Sequence, residues 1–324
     1  MITIRTDLAV ENREIYKKIY REDSKGVDVE KEEKENYTVT RIKVLNEEGS
    51  KSLQKPVGTY ITIEAPRLSK SDEDLKDEIS QVVAKEIKGL GKNNPNSKIL
   101  IVGLGNWNIT ADSLGPKVVK RVLVTRQYFV NYKKDSDETM ANVSAISPGV
   151  MGITGIETGE IVKGVVEKVK PDLVIAVDAL ASRKMERINT TIQISDSGIN
   201  PGAGVGNNRM ELTEKTLGVP VIAIGVPTVV DAATIVNDTL DLIIDSLKKE
   251  AEVGTEFYNL LSEISSEEKY NLIREVLNPY MKNVVVTPTD IDKVIDDISI
   301  VIANGLNIAL HPGIDLKDVN RYIR

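Results

Sequence analysis

Two carboxylates, Asp112 and Asp178, stand where a chain can bring acids together for chemistry. Asp112 closes the stretch Lys98-Ile-Leu-Ile-Val-Gly-Leu-Gly-Asn-Trp-Asn-Ile-Thr-Ala-Asp112 and precedes Ser113-Leu-Gly-Pro116. Asp178 closes Pro171-Asp-Leu-Val-Ile-Ala-Val-Asp178. Each acid follows a short apolar run, Ile99 to Val102 and Leu173 to Val177, of the kind a strand buried on both faces carries. In open α/β sheets, ligands bind outside the carboxyl ends of the strands. Neighbouring strands can therefore deliver both acids to one site. Two carboxylates in one cleft repel, and their proton affinities separate. The ionised one can activate water while the protonated one donates to a carbonyl, which is peptide hydrolysis without a nucleophilic side chain. Each acid alone also has a structural role open to it. Asp112 before Ser113 can cap a helix, and Asp178 can be a structural acid at a strand end.

Composition removes the usual competitors. The 324 residues, 41% of them hydrophobic, are enough for one large domain with appendages or for two domains. No cysteine is present, so disulfides, thiolate catalysis and thiolate zinc sites are excluded. The only histidine is His311, followed by Pro312 and Gly313. It reads as a C-terminal cap or a surface residue, and without a Gly-x-Ser-x-Gly elbow it makes no triad. A metal cluster of several histidines is impossible. The net charge of −7 opposes non-specific binding to nucleic acid or anionic membranes. No transmembrane run or signal peptide is evident. Acid–base chemistry near neutral pH falls to Asp, Glu, Lys or Tyr.

Other motifs are weaker. Gly103-Leu-Gly105 follows a strand but lacks the third glycine and the later acid of a dinucleotide site. Asp196-Ser-Gly198 resembles one element of pepsin-like proteases, which need two, and a turn is its plainer role. The segment from Asp196 to Arg209 is rich in glycine, including Gly204 and Gly206, and long loops of this kind are usually functional. Arg183, Arg187 and Arg209 flank that loop and the Asp178 strand. They are either surface ion pairs or guanidinium groups that attract an acidic peptide.

These residues need elements to position them. Strands are expected at residues 37–44, 60–64, 99–102, 143–146, 173–177, 190–195 and 219–226, the last closed by Pro227. Helices are expected at 72–87, 113–122, 160–169, 228–248 and 290–310, with two more near 255–264 and 267–277. The charged segment through Glu35 reads as a solvated loop or helix face. Alternation of strand and helix from residue 99 onward implies an α/β fold with parallel pairing.

A set of motifs then resembles a known family. They are Arg5-Thr-Asp-Leu-Ala-Val-Glu11, Val102-Gly-Leu-Gly-Asn106 with Asp112-Ser-Leu-Gly-Pro116, Pro148-Gly-Val-Met-Gly152 with Thr154-Gly-Ile-Glu-Thr158, Asp178-Ala-Leu-Ala, Ile192-Gln-Ile-Ser-Asp-Ser-Gly198 and Gly202-Ala-Gly-Val-Gly-Asn207. Together they resemble the germination protease of endospore-forming bacteria. The resemblance implies a three-layer α/β sandwich with a mostly parallel central sheet, similar to hydrogenase maturation proteases. A β extension at about 37–64 and a helical insertion at about 250–280 would be peripheral to it. It implies an aspartic-type endopeptidase that degrades small acid-soluble spore proteins in the spore core. It also implies a homotetramer made as a zymogen, with Asp112 and Asp178 as the acidic pair and no cofactor. Residues 1–7 would be a propeptide cut between Asp7 and Leu8, at a terminus expected to be exposed. Independently of the resemblance, Arg183, Arg187, Arg209, Gly204 and Gly206 are the residues expected to touch substrate if the glycine-rich loop and its arginines bind a peptide. The competing expectations are a peptide- or phosphate-binding protein whose glycine-rich loop offers backbone amides, and a metal-dependent maturation-type protease using oxygen ligands.

Overall fold

Among the described residues the chain folds into nine strands: β1 Val27–Glu33, β2 Thr38–Val44, β3 Gly58–Glu64, β4 Lys98–Gly103, β5 Asn142–Ile146, β6 Leu173–Ser182, β7 Thr191–Ser195, β8 Val221–Asp231 and β9 Val285–Val286. The computed structural model describes residues 6–70, 72–91, 97–132, 137–201, 209–251, 253–263, 273, 275 and 284–322. The strands form one sheet in the order β1-β2-β3-β7-β8-β6-β4-β5, and β9 pairs with β8. β5, β4, β6 and β8 run parallel, as the alternation with helices requires. β1, β2, β3 and β7 extend the sheet antiparallel, so the expected β extension continues the central sheet and the sheet as a whole is mixed.

Helices cover both faces. Odd-numbered residues of β4 and β6, such as Ile99, Ile101, Ile175 and Val177, pack under the helices Glu73–Leu90, Leu114–Arg121 and Ile291–Leu310. Even-numbered ones, such as Leu100, Val102, Val174 and Ala176, pack against Val162 and Val166 of the helix Thr158–Val169. On that same side of the sheet, Leu8, Ala9 and Val10 at the start of the helix Ala9–Tyr20 cover Ile42, Val44 and Tyr60. This is the three-layer arrangement.

Three expectations change. The charged segment ahead of Glu35 is a helix followed by β1, an edge strand. Val27 and Val29 turn inward while Asp28, Glu30, Lys31 and Glu33 face solvent, a charge pattern that blocks pairing with another chain. β8 does not stop at Pro227 but runs on to Asp231; the register shifts beside the proline, where Thr228 is the extra residue opposite the Leu180/Ala181 step of β6. β6 continues to Ser182, five residues past its pairing with β4, which ends at Gly103 opposite Val177. In the expected helical insertion, Glu256–Glu263 is a helix, whereas most of 267–277 lies outside the described residues.

Candidate active site

Asp178 is the first residue of β6 beyond the end of β4, so its side chain meets the loop that leaves β4 rather than another strand. It is buried, at 6% exposure, and Oδ1 accepts from the Ala179 N–H at 2.9 Å. Asp112 reaches the same place from that loop. Leu104 N–H donates to the Val177 carbonyl at 2.8 Å, and Asn106 N–H to the Asp112 carbonyl at 2.9 Å. Gly105 sits at φ +112°, and a Cβ there would lie 2.0 Å from the Asp112 oxygen, so only glycine fits. Asp112 ends a 3₁₀ turn, Thr110–Asp112, and Ser113 is the residue that precedes the helix. Asp112 is therefore free of the capping role. Thr228 of β8 donates to the Ala111 carbonyl at 2.7 Å and pins this turn to the sheet.

The two acids line one cavity of about 240 Å³, together with Leu104, Thr228, Arg209 and Asp7. Burial pushes the Asp112 carboxyl up to about 6, against the pull of Arg209 and the Asn106 backbone. Burial pushes Asp178 well above the usual carboxylate range, and the Asp112 charge pushes it further. The pair thus holds a proton near neutrality and can act as one base and one acid. Among the described residues no group of three or more His, Cys, Asp or Glu side chains is placed to hold a metal ion.

The arginines separate. Arg209 lines the cavity and faces the acids. Arg187 is buried with Glu11, Glu14 and Glu64 at 3.3, 2.6 and 2.9 Å, and is a structural hub rather than a substrate contact. Arg183 pairs with Asp238 at 3.2 Å. Gly204 and Gly206 lie outside the described residues. Asp196 Oδ1 accepts from the Thr59 N–H at 2.6 Å and shapes a turn. His311 caps the last long helix as expected, but it is buried, not on the surface, and its Nε2 lies 3.1 Å from the Leu123 carbonyl oxygen.

Removing a cation from a buried cluster leaves uncompensated carboxylates, so Arg187→Met is expected to cost about 3–5 kcal/mol in urea unfolding. Arg209→Met should leave stability near wild type. Arg209 holds both acids down, so its loss should move the acid limb of the pH–rate profile upward. An unchanged limb would remove Arg209 from the site.

The residue that sequence reasoning misplaced is Asp7. It was expected at an exposed terminus. Instead its N–H donates to the Ala181 carbonyl at 3.0 Å, and its Oδ2 accepts from the Ala181 N–H at 2.9 Å. Leu8 beside it is fully buried. Burial raises the Asp7 carboxyl too, and its charge adds to that felt by Asp178. The signal was present in the apolar Leu8-Ala-Val10, which needs a surface to cover, but nothing local names that surface.

The sequence model of the germination protease family matches residues 4–262 and 250–323. The germination protease of Clostridium perfringens strain 13 is 52% identical over 324 residues, covering all of both chains. That of Caldanaerobacter subterraneus subsp. tengcongensis is 51% identical over 323 residues, covering 100% of this chain and 99% of its own. That of Oceanobacillus iheyensis is 44% identical over 358 residues, covering 99% and 98%. Among solved structures, the NiFe hydrogenase maturation protease HycI from Thermococcus kodakarensis KOD1 is 19% identical, covering 60% of this chain and 99% of its own with a TM-score of 0.30. The α/β chain with its acid-lined cavity is thus a peptidase, a hydrolase of protein chains. It belongs to the germination protease family.

Proposed function

We propose that the chain is an aspartic-type endopeptidase that starts the breakdown of small acid-soluble spore proteins in the spore core during germination. Asp112 and Asp178 share a proton. The ionised member takes a proton from water, which attacks the peptide carbonyl, and the protonated member then supplies the departing amine. Residues 1–7 form a propeptide, and the same pair cuts the Asp7–Leu8 bond. The observation that supports this reading is that both acids and Asp7 line one cavity with their carboxyls pushed up by burial. The exposed apolar face of the helix Ala232–Glu250, with Leu242 and Ile243 outermost, offers a surface for assembly into a homotetramer. No helix among the described residues is long and apolar enough to cross a membrane.

The test is cleavage of a purified small acid-soluble spore protein by the processed chain, with and without a chelator. No cleavage, with the protein folded, would reject the reading. Serine and cysteine protease inhibitors should have no effect, because the chain has no thiol and His311 is buried away from the cavity. His311→Ala should retain full activity per folded molecule. Its loss would return a histidine mechanism to contention.

A further inference from the structure

Asp7, whose carbonyl begins the Asp7–Leu8 bond, lines two cavities. One holds the acids. The other, of about 290 Å³, is lined by Lys55, Tyr60, Gln193 and Ser195, and Asp7 belongs to both walls. The Asp7 carbonyl oxygen accepts two hydrogen bonds, both from residues that line the second cavity. Lys55 Nζ donates at 2.8 Å and Gln193 Nε2 at 3.0 Å. Each donor is held in place. Gln54 takes a left-handed conformation at the end of the helix Glu47–Leu53 and turns Lys55 toward the site. Gln193 is buried in β7, and its Oε1 accepts from the Ala9 N–H at 2.7 Å, which leaves Nε2 aimed at the carbonyl.

Register explains why acid and donors face each other. Gly225 of β8 is paired with Asp178 on one side and with Gln193 on the other. Directly opposed residues share a sheet face, so Asp178 and Gln193 stand on the same face two strand spacings apart, about 10 Å. Gly225 between them has no side chain, and the Leu180 side chain packs over it, so close that a Cβ on Gly225 would lie 2.4 Å from Leu180. The Asp7 peptide unit, lining both cavities, has the acids in the wall of one and its two carbonyl donors in the wall of the other.

We infer that Lys55 and Gln193 are catalytic residues: they hold the carbonyl oxygen of the bond to be cut and stabilise the negative charge it gains. This rests on the proposed reading that Asp112 and Asp178 act on the Asp7–Leu8 bond. Water oxygen bonds to the Asp7 carbonyl carbon, and its proton passes to the ionised carboxylate. The carbonyl π pair moves onto oxygen, between Lys55 and Gln193. The C–N bond then breaks, the pair moves to Leu8 nitrogen, and that nitrogen takes a proton from the acids. Donors fixed in advance at a developing oxyanion act most strongly where water is excluded. Burial pushes the Lys55 ammonium below the ordinary lysine range, against the pull of Asp7 and Glu11, which makes it a stronger hydrogen-bond donor. Once residues 1–7 leave, the same donors face the next peptide.

The test uses the full chain and follows its first-order self-cleavage by mass spectrometry. Lys55→Met keeps the stem and loses the donor. Gln193→Glu keeps the acceptor for Ala9 and loses the donor, and it decides the matter if Lys55→Met fails to fold. Each should slow cleavage about 10²–10³-fold, and Lys55→Arg should recover part of the loss. Hydrogen exchange over residues 6–12 separates catalysis from anchoring. Protection unchanged while the rate falls supports the inference; protection lost in step with the rate overturns it, as does a rate within tenfold of wild type. The underlying reading fails differently. It falls if Asp178→Asn still cuts itself, or if the new N-terminus is not Leu8.

Discussion

Asp178→Asn is expected to abolish cleavage and, at the same time, to stabilise the fold at neutral pH. Asn keeps the size and accepts the Ala179 hydrogen bond, but it can neither take nor give the proton. Loss of a general acid or base costs about 10²–10⁴-fold, and a residual rate within tenfold, about 1.4 kcal/mol, would reject the residue. Asp112→Asn should match it in activity. The stability effect follows from burial. The folded state raises the Asp178 carboxyl, so folding favours the proton and an ionised Asp178 opposes folding. That penalty is absent below the unfolded value near 4 and grows as pH rises from there through the folded one. The variant should therefore melt with wild type at pH 4 and above it at pH 8, by roughly 2–4 °C for each kcal/mol recovered. Equal melting at pH 8 would mean the carboxylate is solvated or paired.

The second large effect concerns the N-terminus. Wild-type chain should release residues 1–7, and Asp178→Asn should remain whole. Leu8 is fully buried and both backbone and side chain of Asp7 are bonded to Ala181, so an external protease does not reach this bond in the folded chain. Cleavage by the chain's own site should be first order and independent of protein concentration. The pH dependence of processing follows from the two carboxyls. With Asp112 raised to about 6 and Asp178 higher, the singly protonated pair exists above about 6 and disappears at the alkaline side as Asp178 ionises. Processing should rise as pH falls through the Asp178 titration, then decline below about 6 as Asp112 takes its proton. A rate that keeps climbing to pH 5 would assign the acid limb to another group. Truncation of Asp178→Asn without added protease would sink self-processing altogether.

Much of the frame is legible in one dimension. Apolar runs at 99–102 and 173–177 become β4 and β6 because a strand covered on both faces needs no alternation, while the shorter stretch 143–146 becomes β5 at the sheet edge with only Val143 fully buried. Asp72 ahead of an amphipathic stretch caps the helix Glu73–Leu90 by accepting from the Leu75 N–H at 3.2 Å. Asp112 and Asp178 stand out because acids beside buried strands are costly and the chain has no cysteine and one histidine. What sequence by itself determined is therefore the parallel core strands and the two acids that follow them, whereas the charged edge strand β1 and the short β9 were not legible in it. Which distant groups join them was decided only by tertiary structure. The extension of β6 and β8 past β4 depends on partners that lie far along the chain. Arg187 left the site because three glutamates from other elements claim it. Asp7, Lys55 and Gln193 meet across 186 residues of chain through hydrogen bonds whose partners have no sequence period. Local propensity reports how a segment folds; where its polar groups find partners is a property of the packed whole.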